Sequence, residues 1–374
     1  MTNFENAKVQ VAQGWLQGYT EGKLKIFKGI PYAAPPVGAL RFRHPQDPGR
    51  WRGVRKATAY SAASIQHVME NPEMPANVHG VPQFLAPSQY EEDCLYLNVW
   101  TPAQTPDARL PVFVWIHGGG MVAGSGCEVV CDGTGFASRK DVVVVTINYR
   151  LGFLGFFAHP DLTAEAGGTS GNYALYDMRK ACQWVKQNIA QFGGDPDRIT
   201  VAGQSGGAAG VQAAKQASTI ASDIMLMGSV KLGELCEKYG RNAYVWLMSK
   251  ENETQRGRDA GCPHCAEMPY VFGRVDKGER NPFFDYHWVS ADYDFMELIQ
   301  GYWYDFCASG DPNGEGRPVW KKYAEKFDIC ELCNHTHMIP ADQMDKYRYF
   351  YEKLTENNFI VSLFGLPRFT PKNG

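Results

Sequence analysis

Apolar residues recur along this chain with two different periods, and the alternation between them sets the expected fold. Val112-Phe113-Val114-Trp115-Ile116 and Val142-Val143-Val144-Val145-Thr146-Ile147 are continuous and mostly β-branched. Such runs suit strands of a parallel sheet that is covered on both faces. Between residues 172 and 192 the period lengthens: Leu175, Met178, Cys182, Val185, Ile189 and Phe192 follow one another every three or four positions. That spacing predicts one stripe of an amphipathic helix, stopped by Gly193-Gly194-Asp195-Pro196. A short strand, Ile199 to Ala202, comes next, followed by the small, helix-compatible stretch Ala208 to Ala217. Further on, Phe295, Ile299, Tyr302 and Phe306 predict another helix, ended by Gly310-Asp311-Pro312-Asn313-Gly314. Strand, crossover helix, strand, turn and helix predict an α/β fold with a mainly parallel sheet. No internal repeat, low-complexity tract or linker divides residues 1–374, so a single domain is expected.

The turn after Ile199–Ala202 contains the candidate chemistry. Ser205 lies in Gly203-Gln204-Ser205-Gly206-Gly207, between a predicted strand and a predicted helix. A sharp turn there forces the serine into a strained backbone conformation and lifts its hydroxyl clear of the sheet. The following helix directs its N-terminal N–H groups at the same place, which favours developing negative charge. The five-residue pattern alone is weak in a chain with 39 glycines. A second glycine cluster strengthens it: His117-Gly118-Gly119-Gly120 directly follows the strand Val112–Ile116. Unobstructed backbone N–H groups at a strand's C-terminal end are what a tetrahedral oxyanion needs, and the expected donors are Gly119, Gly120 and Gly206.

Composition narrows the alternatives. With 44% hydrophobic and 21% charged residues, a 374-residue chain can bury a sizeable core. A net charge of −3 argues against bulk attraction to nucleic acid or anionic lipid. The basic run Arg41 to Lys56 is broken by Pro45, Asp47 and Pro48 and reads as a solvated loop. The first residues show neither a basic nor an apolar leader segment, and no apolar run is long enough to span a bilayer, so a cytoplasmic setting is expected. The ten cysteines are scattered. Cys262-Pro263-His264-Cys265 has redox spacing but lacks a thioredoxin-like βαβ context. Cys330-Glu331-Leu332-Cys333 precedes His335 and His337, but a zinc ribbon would need the two pairs far closer in sequence. Reduced thiols and no metal are the expectation, with His335 and His337 as solvated turn residues.

Eight segments, in order, resemble the type B carboxylesterase/cholinesterase family. They are Phe27 to Ala33, Glu92 to Trp100, His117 to Gly120, Asn148-Tyr149-Arg150-Leu151-Gly152, Phe192 to Pro196, the serine elbow, and the pair Pro269 to Gly273 with Gly310 to Gly314. The flavour is that of bacterial carboxylesterases and para-nitrobenzyl esterases. Ser64 stands where secreted relatives have a cysteine able to pair with Cys94, and Gln204 replaces the more frequent glutamate before the serine. The resemblance implies an α/β-hydrolase fold, a small-molecule ester as substrate and no cofactor. It also implies an ion pair between Arg41 and Glu92. The chain order of such folds is serine, acid, histidine, which leaves His264, His287, His335 and His337 as bases. The family's base sits shortly before the Pro-Tyr-Val-Phe-Gly segment, so the resemblance assigns His264.

The acid is where the chain departs from the resemblance. The interval between Ser205 and His264 is too short for the sheet strands and helices expected there, so the fold is expected to be shortened between nucleophile and base. Glu234, Glu251, Glu253 and Asp259 are weak candidates, and Leu232, Leu235 and Tyr239 suggest that Glu234 and Glu237 lie on a helix. Either the strand Ala243–Met248 moves in beside the elbow strand, or the chain is a shortened gene product that folds poorly, because unpaired backbone groups and apolar edges destabilise a parallel sheet. Two functions follow. One is a serine esterase with a dyad and an oxyanion hole, and the other a non-catalytic, esterase-like binding protein.

Overall fold

The computed structural model describes residues 7–66, 89–208, 229–230, 232–234, 236–252, 254, 262, 265–275, 287–324 and 328–339. The chain divides into two compact units, Met1–Ala217 with Asn252–Gly314, and Ser218–Glu251 with Glu315–Gly374.

The first unit is built on a six-stranded sheet. Its strands are β1 (Tyr19–Glu21), β2 (Leu24–Pro31), β3 (Tyr96–Thr101), β4 (Leu110–Ile116), β5 (Val143–Ile147) and β6 (Gly194–Gly203), in the spatial order β6-β4-β5-β3-β2-β1. The parallel pairing expected from the continuous apolar runs lies at β4, β5 and β6. The other three neighbouring pairs are antiparallel, so the described sheet is mixed. Every residue of β5 is buried, as its two-sided apolar run requires. The periodic stripe forms α1 (Tyr173–Asn188), which runs on through a 3-10 turn, Ile189–Phe192, to Gly193 in the left-handed region at φ 77°. Its Met178, Val185, Ile189 and Phe192 enter the main core beside Val112, Val114, Val143 and Val145. The later stripe forms α2 (Ser290–Ser309), closed by Gly310 at φ 78°. A smaller sheet joins Lys8–Val11, Gly14–Gln17 and Val54–Lys56.

The chain leaves β4, crosses to β5 on one side, and returns through α1 to β6 on the other side of β4. Reversals of this kind leave a crevice at the C-terminal ends of the strands. Here the residues flanking it are His117–Gly120 after β4 and Gln204–Gly207 after β6. The register Gly203↔Ile116 sets the two turns side by side.

Among the ion pairs of the first unit, two show how exposure decides what such a pair contributes. Arg41 meets Glu92 through two hydrogen bonds of 2.7 Å, as the resemblance implies. Arg41 is nearly half exposed, so this pair acts as a surface clamp and contributes little to stability. Arg150 and Asp177 form the buried counterpart. Asp177 accepts from the Arg150 guanidinium at 2.8 and 2.7 Å and from its backbone N–H at 3.1 Å. Asp177 is fully buried and Arg150 nearly so, and the contact ties α1 to the segment leaving β5. Asp177→Ala would strand the guanidinium in the interior, and a loss of about 3–5 kcal/mol in urea unfolding is expected. A loss under about 1 kcal/mol would show that water reaches Arg150.

The second unit has its own small core of Val230, Val245, Tyr323 and Ile329. Strand β7 (Val245–Met248) pairs in parallel with β8 (Ile329–Leu332), which pairs antiparallel with β9 (His337–Met338). The strand expected at Ala243–Met248 forms as β7, paired within the sheet of this second unit. Among the described residues β6 stands at the edge of the larger sheet, and its residues from Ile199 to Gly203 are only half-buried. Residues 232–234 and 236–238 are helical, which places Glu234 and Glu237 on a helix, as expected from Leu232 and its neighbours.

Candidate active site

Ser205 adopts φ 51°, in the left-handed region that a residue with a β-carbon avoids. Strain of this kind costs on the order of 1–3 kcal/mol and persists only where the surroundings enforce it. The surrounding glycines explain how the turn closes. A β-carbon on Gly203 would lie 2.6 Å from the backbone of Gly207, so the two ends of the pentapeptide touch. One on Gly207 would lie 2.1 Å from the Ile116 carbonyl and 2.4 Å from that of His117. The outer glycines of the motif thus let the incoming strand, the outgoing helix and the end of β4 approach at backbone contact.

Gly206 faces the other turn. A β-carbon there would come within 3.1 Å of the Gly120 nitrogen and 2.9 Å of that of Met121. Gly119 and Gly120 adopt φ 93° and 61°, and Met121 follows at φ 64°. The turn is closed internally, with Val122 and Ala123 both donating to the Gly119 carbonyl, and Gly152 donates to the Met121 carbonyl at 2.8 Å. Among the described residues no acceptor takes the N–H of Gly119 or Gly120, and both residues are exposed. Ser205 itself is half-buried.

The turn is held by His117 and Tyr149, which lie in two of the segments that carry the family resemblance. His117 is buried, stacks on Tyr149 at 4.4 Å between ring centroids, and hydrogen-bonds the Gly118 carbonyl at 2.9 Å through Nδ1. Tyr149 donates its hydroxyl to the His117 carbonyl at 2.9 Å. Burial pushes the His117 imidazole down to about 4, so it is neutral and Nδ1 carries the proton it donates. Beyond the turn, Gly126 donates to the Asn148 side chain at 2.8 Å and its carbonyl accepts from Thr146 at 2.6 Å. Ser125 donates its N–H to Glu128 at 3.0 Å, and the Cys131 thiol lies 3.7 Å from the other carboxyl oxygen. Glu128 is buried, and desolvation pushes its carboxyl up to about 8 against the lowering effect of those two hydrogen bonds.

The side chain of Gln204 fills the space beside Gly118, where a β-carbon would meet its Oε1 at 2.0 Å. Its Nε2 donates to Cys265 Sγ at 2.9 Å. Cys265 has φ 72°, a second strained non-glycine position, and burial raises its thiol well above the usual range. The residue before Ser205 thereby holds the residue after His264. His264 itself lies outside the described residues, as do Glu253 and Asp259. Glu251 is exposed and Glu234 half-buried, both within the second unit. Of the other histidines after Ser205, His287 is exposed, and His335 and His337 lie in the second unit. Ser64 lies buried against the Cys94 thiol, at the pairing position the resemblance marks.

A strained serine between two glycine contacts, beside a glycine turn at the reversal point of the sheet, defines an α/β-hydrolase fold. The residues 5–224 and 212–347 match the carboxylesterase family, and the chain belongs to it. It is 47% identical over 189 residues to a fumonisin B1 esterase of Sphingopyxis macrogoltabida, covering 50% of this chain and 33% of that protein. It is 42% identical over 205 residues to a para-nitrobenzyl esterase of Bacillus subtilis (strain 168), covering 55% and 39%. The matched stretch thus spans about a third of the curated relatives' length. A solved PNB esterase shares the fold with a TM-score of 0.72 at 23% identity, covering 91% of this chain and 99% of that one. A carboxylesterase of Geobacillus stearothermophilus gives 0.71 at 23%, covering 92% and 99%. Among the described residues no helix is long and apolar enough to cross a membrane.

Proposed function

We propose that the protein is a serine carboxylic ester hydrolase that acts on small-molecule esters. Ser205 Oγ attacks the ester carbonyl while His264 takes its proton. The tetrahedral oxyanion is held by the N–H groups of Gly119, Gly120 and Gly206. As the intermediate collapses, His264 returns the proton to the departing alcohol. Water, deprotonated by the same histidine, then attacks the acyl-enzyme and releases the carboxylic acid. This chemistry draws on neither a metal nor an organic cofactor.

The observation that carries the reading is the left-handed Ser205 set against the Gly118–Gly120 turn. The Gln204–Cys265 hydrogen bond supports His264 as the base. Consecutive α-carbons are about 3.8 Å apart, so His264 is one residue from a side chain held by the neighbour of Ser205. We also propose that the family's middle segment is missing between nucleophile and base, and that both units belong to one domain. The family match supports this: its two parts adjoin near residues 212–224 and run on into the second unit. On this reading the histidine lacks a dedicated acid, and turnover is low and rises as the imidazole loses its proton near about 6.5. Ser64 opposite Cys94 supports a reducing, cytoplasmic setting.

Labelling with a fluorophosphonate tests the proposal. The expected result is one phosphonyl adduct per chain, found on the peptide containing Ser205 by mass spectrometry. An intact chain that takes up no label, or takes it up on another residue, would instead make the protein a non-catalytic relative.

A further inference from the structure

We infer that the second unit carries a zinc site formed by Glu331, Cys333 and His337, lying outside the proposed esterase machinery. The sheet brings these three together. Glu331 lies in β8, Cys333 follows directly after the strand's last residue, Leu332, and His337 on β9 is the cross-strand partner of Glu331. One ligand atom from each lies within 4.8 Å of the other two. His337 Nε2 is 3.6 Å from a Glu331 carboxyl oxygen, and its Nδ1 is 4.0 Å from Cys333 Sγ. Bond lengths of about 2.0–2.3 Å around a tetrahedral zinc ion put neighbouring ligand atoms roughly 3.4 Å apart, so the set closes when the Cys333 thiol swings from the Nδ1 side of the ring toward Nε2.

The surroundings orient each donor for this task. His337 Nδ1 donates to the His335 carbonyl at 2.9 Å, which fixes the proton on that nitrogen and leaves the Nε2 lone pair free. The Ser249 hydroxyl donates to one Glu331 oxygen and leaves the other toward His337. Thr336 accepts from the Cys333 N–H at 3.3 Å and donates to its carbonyl at 3.1 Å, holding the turn that presents the thiol. Thiolate, imidazole and carboxylate together suit Zn²⁺ better than the all-oxygen sites of magnesium or calcium. Binding releases the Cys333 thiol proton to solvent. Three protein ligands leave the fourth position to water. Cys330 points to the opposite face and is buried, so the Cys-Glu-Leu-Cys segment contributes one thiolate and not two.

The full chain, stripped with a chelator, is to be titrated with Co²⁺ and then with Zn²⁺. The expected result is one equivalent of Co²⁺ giving an intense sulfur-to-cobalt charge-transfer band, lost again when Zn²⁺ displaces it. Cys333→Ser should abolish the band, and Ser249→Ala should weaken affinity by roughly tenfold, as is usual when a ligand's supporting hydrogen bond is removed. Cys262→Ser should leave both unchanged. No band with the wild-type chain would overturn the inference. A band that survives Cys333→Ser, or disappears with Cys262→Ser, would overturn it equally.

Discussion

Ser205→Ala is expected to abolish the acyl-enzyme burst with p-nitrophenyl acetate and to leave only the residual hydrolysis that oxyanion donors sustain. The size of the fall in steady-state turnover tests the proposal that His264 has no supporting acid. In a complete serine triad, removing the nucleophile costs about 10⁶-fold and removing the acid alone about 10⁴-fold, and the two losses do not add. A chain already without its acid has only about 10² left to lose. Ser205→Ala and His264→Ala should therefore each lower kcat by about that factor, with the fold intact by circular dichroism. A fall near 10⁶ would mean that a carboxylate supports His264 after all. Undiminished hydrolysis in either variant would remove Ser205 or His264 from the mechanism.

The parts of this site that were legible beforehand share one property: their physical cause is local. Gly203 and Gly207 are glycine because each lies at backbone contact across a five-residue turn, so the constraint is written in the pentapeptide itself. The strand at Val143–Ile147 and the helix at Tyr173–Asn188 follow from burial on both faces and on one face. The antiparallel half of the sheet was less visible, because Leu24–Pro31 mixes buried and half-buried positions without clean alternation. The pairing of Val245–Met248 with Ile329–Leu332 joins segments far apart in sequence, and no local pattern selects one partner strand over another. Cys265 shows the same limit at a single residue. A left-handed backbone usually announces itself through glycine or asparagine, whereas here a cysteine occupies it and the hydrogen bond from Gln204 holds it. The burial of Glu128 was hidden for another reason, since a lone carboxylate reads as a surface charge even between Cys127 and Val129-Val130-Cys131.

That burial makes stability depend on pH in a direction unusual for a carboxyl group. Glu128 keeps its proton in the folded chain up to about 8, because desolvation outweighs the hydrogen bonds it receives from the Ser125 N–H and the Cys131 thiol. In the unfolded chain it ionises near 4.3. Between those values the folded state binds more protons than the unfolded one. The stabilisation is therefore fully present below about 4.3 and is lost as pH rises through about 8, on the order of 5 kcal/mol over the whole window. Glu128→Gln keeps an acceptor for the Ser125 N–H and removes the titration. Urea unfolding at pH 6 and pH 9 should show the wild-type chain losing about 3 kcal/mol that the variant retains, so the variant is the more stable protein at the higher pH. Equal losses in both chains would show that Glu128 ionises in the folded state at an ordinary pH, with water reaching the segment that anchors the glycine turn.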